Sequence, residues 1–320
     1  MTRVSTFQQS QLLLNDMLQN QQAANKAQRQ VSTGHVADFY KDIYQDTASL
    51  TGAKSLLARL EQHKENGGVI KSTLFSYDQA LGGLEKAGTD VKEAVIGAIN
   101  SSTALGFDAA IEGAFEATMN FLNSQTSEGY LFSGSKQDTS PLNITQVSDL
   151  LTAAEPPTDI FVNNSLKKTI KIDENRSIEL GILADDVGLE IMTAIQRIVL
   201  WQNGTVPSTA PVPAGPAGPA STPLSASDQA FLTGEIANLE DLVKNLAEKR
   251  GINGLNQKIV DETLVSLDAQ IDQSKVFISN IEDVDAAEAI TNLNQKNFAL
   301  EASYNVLSQV NRLSLLNFLR

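Results

Sequence analysis

The sequence has no cysteine and few aromatic residues, with a single tryptophan at Trp201. Without cysteine there can be no disulfide, thiolate metal site or cysteine nucleophile. An aromatic content of 6% suits helix bundles better than compact enzymes, whereas a hydrophobic content of 42% is ordinary for globular chains. A chain of 320 residues can therefore bury a sizeable core, and its length favours about two domains.

Runs of basic residues and long apolar runs are also missing. The formal net charge is −14, which argues against nucleic acid and anionic membranes as partners. No apolar run reaches the roughly 18 residues of a transmembrane helix. The opening stretch MTRVSTFQQSQLLL lacks the apolar core and the cleavage site of a signal peptide. We expect no membrane insertion, and any export must use a route without a cleaved signal.

Candidate catalytic and metal-binding patterns are weak. His35 follows the helix-stopping Gly34, and His63 lies in a coiled-coil stripe, so we expect structural roles for both. No HExxH motif occurs, and the stretch 67–72 lacks the glycine that precedes lysine in a phosphate loop. We therefore expect neither enzyme activity nor a cofactor or metal.

The C-terminal stretch, residues 281–320, contains neither proline nor glycine, so nothing in it predicts a helix break. Apolar or small residues recur there at alternating steps of four and three, as in a coiled-coil seam: Ala286, Ile290, Leu293, Leu300, Tyr304 and Leu307. Its last part is apolar on nearly all sides: Val306, Val310, Leu313, Leu315, Leu316, Phe318 and Leu319. Such a helix must be surrounded by other segments.

The N-terminal residues 5–32 also predict a helix, which Gly34 ends. One heptad stripe on it contains Phe7, Leu14, Met17, Ala24 and Val31. Charge is sparse on the remaining positions. The helix is either a solvated amphipathic helix or one with neighbours on several sides, and the sparse charge favours the second interpretation.

The longest regular pattern extends from Leu56 to Ala98 and predicts a long coiled-coil helix. The pairs Gly67–Gly68 and Gly82–Gly83 predict a close helix approach or a bend. A further helix is predicted over 106–126, and the stretch 130–132 could form a short strand.

The composition changes near residue 142. Residues 159–163, 168–172 and 177–182 are short β-type runs, and a helix capped by Asp185 or Asp186 continues to Trp201. Residues 206–223 hold six of the nine prolines and predict a semi-rigid solvated loop. Helix then resumes at 225–228, with a break or phase shift expected at Gly251 and Gly254.

These patterns predict a mainly α fold, a long antiparallel coiled-coil bundle built from both chain ends, with a small α+β domain inserted at its tip. The expected domains are a terminal helical polymerisation region (1–40 with 281–320), a coiled-coil rod (41–141 with 225–280), a small α+β outer domain (142–205) and a Pro-rich connector (206–224).

Two terminal helices without charged faces predict a polymerising subunit with head-to-tail contacts, because a two-fold contact would stop at a dimer. The predicted assembly interface consists of Val4, Phe7, Leu14, Met17, Leu18, Leu300, Tyr304, Leu307, Val310, Leu313, Leu315, Leu316 and Phe318. We expect the apolar residues of both arms to be poorly ordered in the free subunit and buried in the polymer.

Three stretches carry a family resemblance: Arg3–Thr6 with Gln30–Gly34, Gly129–Ser135 with Asp138, Thr139 and Pro141, and Asn280–Ala289 with Leu313–Leu319. They resemble the bacterial flagellin superfamily, and within it the hook–filament junction proteins, which begin with a similar R-I-S-T and continue to a Q-L-S-T-G. The resemblance covers about 1–140 and 225–320. The segment His35–Thr47 departs from the basic, Asn- and Pro-containing turn of that family.

The resemblance implies a structural subunit of the bacterial flagellum that joins hook to filament, with filament-forming flagellin as the alternative. It implies export by the flagellar type III apparatus, an export chaperone, an extracellular location, and copies of itself, the hook-side junction protein and flagellin as partners. A secreted enzyme or adhesin with activity in the insert is the alternative from another class, and the insert has no histidine to support it.

Overall fold

The computed structural model describes residues 2–37, 39–102, 106–174, 176–209 and 223–318. These residues form six α-helices: α1 (Thr2–Thr33), α2 (Thr47–Ser101), α3 (Phe107–Leu122), α4 (Ala184–Gln202), α5 (Ala226–Glu282) and α6 (Ala286–Phe318). Two small antiparallel hairpins pair β1 (Gln125–Thr126) with β2 (Gly129–Tyr130) and β3 (Thr169–Lys171) with β4 (Ser177–Glu179). The predicted mainly α fold with a small α+β insert is confirmed.

The chain folds into two compact units. Unit 1 comprises residues 1–61 and 268–320, and unit 2 comprises residues 62–267. Helices α2 and α5 contribute residues to both units. The division into four segments that the sequence suggested stays a prediction.

In unit 2, α2 and α5 run antiparallel, as the ion pairs Lys71–Asp261 (2.7 Å) and Arg250–Asp78 (2.8 Å) show. The predicted seam of α2 is confirmed over most of its length by buried residues: Ile70, Leu74, Tyr77, Leu81, Leu84, Val91 and Val95. The matching residues of α5 follow at steps of seven: Leu239, Leu246, Asn253, Val260 and Leu267, all buried.

The expected break or phase shift at Gly251 and Gly254 is wrong, because α5 continues through both glycines. Asn253 keeps the seam in phase although it is polar. Its side-chain amide donates a hydrogen bond to the Leu74 carbonyl oxygen at 2.9 Å, which satisfies one of its buried donor hydrogens.

The middle of the chain agrees with the predicted strands in part. Residues 168–172 and 177–182 contain β3 and β4, whereas the run 159–163 is not a strand. Thr158–Ile160 forms a short 3-10 helix, and Phe161 makes an isolated bridge to Leu142. Residues 130–132 contribute Tyr130 to β2.

Helix α4 begins two to three residues earlier than predicted. Leu183 is its N-cap, so Asp185 and Asp186 lie in the first turn, where their charges favour the helix dipole without capping. At the other end, the Trp201 indole N–H donates to Asp228 at 2.9 Å. This bond fastens α4 to the start of α5. Of the predicted Pro-rich loop, residues 210–222 lie outside the described part of the chain.

In unit 1, the predicted unbroken helix from 281 onward is wrong, since α5 ends at Glu282 and α6 begins at Ala286. Backbone hydrogen bonds explain the break: Val36 N–H donates to the Glu282 carbonyl, and Val284 N–H donates to the Gly34 carbonyl, each at 2.9 Å. A helix cannot continue through residues that pair with another segment. The Asp285 carboxylate then caps α6 by accepting the Ala287 N–H at 2.8 Å.

Candidate assembly surface

Helices α1 and α6 pack together in unit 1 through small side chains. Ala24 and Ala27 on α1 and Ala289 on α6 are buried. The side-chain amide of Asn20 donates to the Ser303 hydroxyl at 2.8 Å. Because these side chains are short, the two helices approach closely and cover little apolar area.

Larger apolar side chains of the same helices lie exposed. On α1 and α6, Leu14 and Tyr304 are 44% and 47% exposed, whereas the neighbouring Ala24 and Ala289 are 5% and 1% exposed. Further exposed members are Leu12, Leu18, Val31, Ile290, Phe298 and Val306. Unit 1 thus has an apolar outer surface that its own packing does not cover, which is typical of an interaction site.

At several points on α1 and α6, the less exposed residue is the sequence neighbour of the residue that the predicted stripe contains. On α1, Leu14, Gln21 and Gln28 are exposed, and the contact with α6 uses Asn20 and Ala27 instead. On α6, Ser303 is half-buried and Ala289 is buried, whereas Tyr304 and Ile290, which the pattern placed in the seam, are exposed. A stripe chosen by hydrophobicity misses such a contact, because two helices that approach closely leave room only for small side chains between them.

The predicted interface residues have three outcomes in the structure. Leu14, Leu18 and Tyr304 are exposed, and Met17, Leu300 and Leu307 are half-buried. The backbones of the remaining seven lie in α1 and α6, but their side chains are outside the described part: Val4, Phe7, Val310, Leu313, Leu315, Leu316 and Phe318. That these residues are buried in a polymer stays a prediction.

The connection between α1 and α2 was missed as a surface. Its 3-10 helix Tyr40–Ile43 and flanking residues expose Phe39, Tyr40 and Tyr44. The signal in the sequence was three aromatic residues within six positions, in a chain otherwise poor in them.

A set of polar contacts holds this connection against the end of α5. His35 Nδ1 lies 3.2 Å from the Asp283 carboxylate, and Lys54 pairs with Glu282 at 2.7 Å. The hydrogen bond to the Glu282 carboxylate raises the pKa of Lys54, so this lysine is charged at neutral pH. His35 thus links the connection, and Lys54 links α2, to the residues at the end of α5.

Other kinds of site find little support. In the described residues, no group of three histidine or acidic side chains could hold a metal ion, and none of the helices described is long and apolar enough to cross a membrane. A cleft of about 680 Å³ in unit 2 lies between β4 and α5. One of its two lysines, Lys167, forms an ion pair with Asp186 at 3.1 Å.

Residues 236–319 match the family of the bacterial flagellin C-terminal helical region. None of the curated proteins compared with the chain matches it in sequence. Among solved structures, a proposed flagellar hook-associated protein from Vibrio parahaemolyticus is similar, with 17% identity, a TM-score of 0.57, and coverage of 76% of this chain and 98% of that one. Bacillus cereus FlgL is similar with 13% identity, a TM-score of 0.54, and coverage of 71% and 98%.

At these identities the two structures show the shared fold, and the family match covers the C-terminal helices. The match supports a structural role in the flagellum. The sequence match and the shared fold together confirm the predicted resemblance of the chain to the bacterial flagellin superfamily, whose members are structural, non-enzymatic proteins.

Proposed function

We propose that this chain is an axial subunit of the bacterial flagellum that joins hook to filament by head-to-tail assembly of its terminal helices. The observation that supports this most directly is the packing of α1 against α6. Small residues occupy the inner face, and Leu14, Leu18 and Tyr304 remain exposed. An apolar surface on a helix pair built from both chain ends is suited to contact further copies.

The junction role rests on the fold shared with two hook-associated proteins. The alternative, a filament-forming flagellin, is favoured by the match of 236–319 to the flagellin C-terminal region. In either role the subunit is exported to the cell exterior by the flagellar type III apparatus, with a cytoplasmic chaperone bound to its C-terminal region until then. The terminal helices of unit 1 provide the polymerisation region, and the insert belongs to unit 2.

Electron microscopy of the purified full-length protein separates the two roles. A concentration series is taken under conditions that polymerise flagellins. The junction role predicts monomers at low concentration and short assemblies at high concentration, whereas long regular filaments would identify a flagellin. Protein that stays monomeric throughout, also in the presence of hook and filament subunits, would contradict both.

A matched pair of variants assigns the assembly to the terminal helices. Leu14→Ser and Tyr304→Ser change exposed residues of α1 and α6, whereas Val265→Ser changes an even more exposed residue of α5 in unit 2. The proposal expects the first two to weaken assembly and the third to leave it unchanged. Deletion of residues 142–224 should also leave assembly intact. An enzyme or adhesin with its activity in this insert does not require that the shortened chain assembles.

A further inference from the structure

The connection after α1 presents an unusual concentration of exposed aromatic side chains. Phe39, Tyr40 and Tyr44 are 60%, 54% and 72% exposed within six residues. We refer to these three residues as the aromatic turn. Exposed aromatic clusters are uncommon on protein surfaces that stay in water, and aromatic residues are enriched in protein interfaces.

The aromatic turn is held in position by the fold. The Thr47 hydroxyl lies 3.0 Å from both the Tyr40 and the Ile43 carbonyl oxygens, to which it can donate. The Lys54 ammonium, itself paired with Glu282, lies 5.8 Å from the Tyr40 ring centroid. Aromatic anchors that are already positioned lose little conformational entropy on binding, and such residues commonly carry most of an interface's energy.

A cleft of about 250 Å³ adjoins the turn and is lined by three basic side chains, Lys26, Arg29 and Lys41, with Asp42 as its carboxylate. The whole chain carries a net charge of −14. A local excess of positive charge on an acidic protein is complementary to an acidic surface, and another copy of the same chain presents one.

We propose that the aromatic turn and the adjoining basic cleft form a docking site for a second copy of this chain. The turn follows directly after α1 in unit 1, which carries the exposed side chains of α1 and α6, so copies that meet through those helices also meet near the turn. The turn lies in the segment His35–Thr47, which departs from the flagellin-family pattern. The inference rests on the proposed self-assembly and names a second contact within it.

The test compares two substitutions of exposed aromatic residues. Phe39→Ser with Tyr44→Ser removes two rings of the turn, and Phe75→Ser removes a ring that is 58% exposed in unit 2. Assembly of full-length protein is followed by sedimentation across a concentration series, with circular dichroism to verify the fold. The turn variant should raise the concentration needed for assembly by about tenfold or more, and Phe75→Ser should leave it unchanged.

Charge is tested separately. Lys26→Gln with Lys41→Gln should weaken assembly and reduce its dependence on salt, because the lost charges no longer attract an acidic partner. A photo-crosslinking phenylalanine analogue in place of Tyr44 should yield a covalent dimer of this chain in the assembled state. Crosslinks to a different flagellar protein alone would overturn the proposal.

The two proposals fail in distinguishable ways. If wild-type protein assembles and the turn variant assembles equally well, the docking site is refuted while the proposed function stands. If wild-type protein does not assemble under any condition, both are refuted. A turn variant that loses helix content is replaced by Tyr44→Ser alone, which removes the ring that is 72% exposed and should still raise the concentration needed for assembly; normal assembly of this variant would refute the docking site.

Discussion

The two glycine pairs of α2 allow one prediction to be worked out from distances. A Cβ on Gly83 would lie 2.2 Å from Phe121 Cζ, closer than real Cβ atoms approach. A Cβ on Gly68 would meet nothing within 4 Å. Both glycines lie inside the same helix and within unit 2. The two positions therefore differ in the space beside them, and not in helical context.

Alanine in a helix interior is more favourable than glycine by about 1 kcal/mol, so Gly68→Ala should stabilise unit 2 by up to that amount. Gly83→Ala has the same gain, but it forces the Phe121 ring to move, and overpacking costs about 1–3 kcal/mol. The melting temperature of the second variant should lie roughly 2–12 °C below that of the first, at about 2–4 °C per kcal/mol for a unit of this size.

Calorimetry of both variants gives the comparison directly, and urea unfolding at 25 °C provides a second estimate of each free energy. Equal stabilisation by the two substitutions would refute the reasoning, since the ring of Phe121 would then not be what requires a glycine at position 83. A bend in α2 at these glycines was the other possibility that the sequence allowed, and α2 continues through them as one helix.

Three further predictions concern single contacts. Tyr77→Phe removes a buried hydrogen bond of 2.7 Å to the Leu131 carbonyl and should lower the free energy of unfolding in urea by about 1–2 kcal/mol. Burial raises the pKa of Tyr77 from 10.0 to about 12, so the wild type should lose stability between these pH values, and that step should be absent in Tyr77→Phe. Arg197→Met leaves the fully buried carboxylate of Glu235 without its ion-pair partner and should lower the free energy of unfolding in urea by about 3 kcal/mol at pH 7. Burial already raises the pKa of Glu235, so this loss of stability should become smaller as the pH falls and the carboxyl takes up a proton. Asp285→Ala removes the N-cap of α6 and should speed hydrogen exchange of its first turn by about fivefold, for a cap of about 1 kcal/mol; unchanged rates would contradict the capping role.

Periodicity predicted the long helices well because α2 and α5 bury continuous seams, as Leu81 and Val91 illustrate. It failed where size rather than hydrophobicity decides the packing. Ser303 bonds to Asn20 of α1 and Ala289 is buried, whereas the larger Ile290 and Tyr304 beside them are exposed. A pattern of residue types cannot show how closely two helices approach.

The break between α5 and α6 could not be predicted from residues 281–285 alone. It depends on hydrogen bonds with Gly34 and Val36, which are distant in sequence. The aromatic turn was visible as composition, but its exposure follows from the way Thr47 and Lys54 hold it. Contacts between segments far apart in sequence therefore account for most of what the sequence did not predict.

The most direct test of the account is to delete the gene and examine the cells by electron microscopy. A subunit that joins hook to filament predicts hooks without filaments, flagellin released into the medium, loss of swimming, and recovery of all three on complementation. Complementation with Leu14→Ser and Tyr304→Ser together should fail although the protein is exported. Normal filaments firmly attached to hooks in the deletion strain would contradict the proposed junction role.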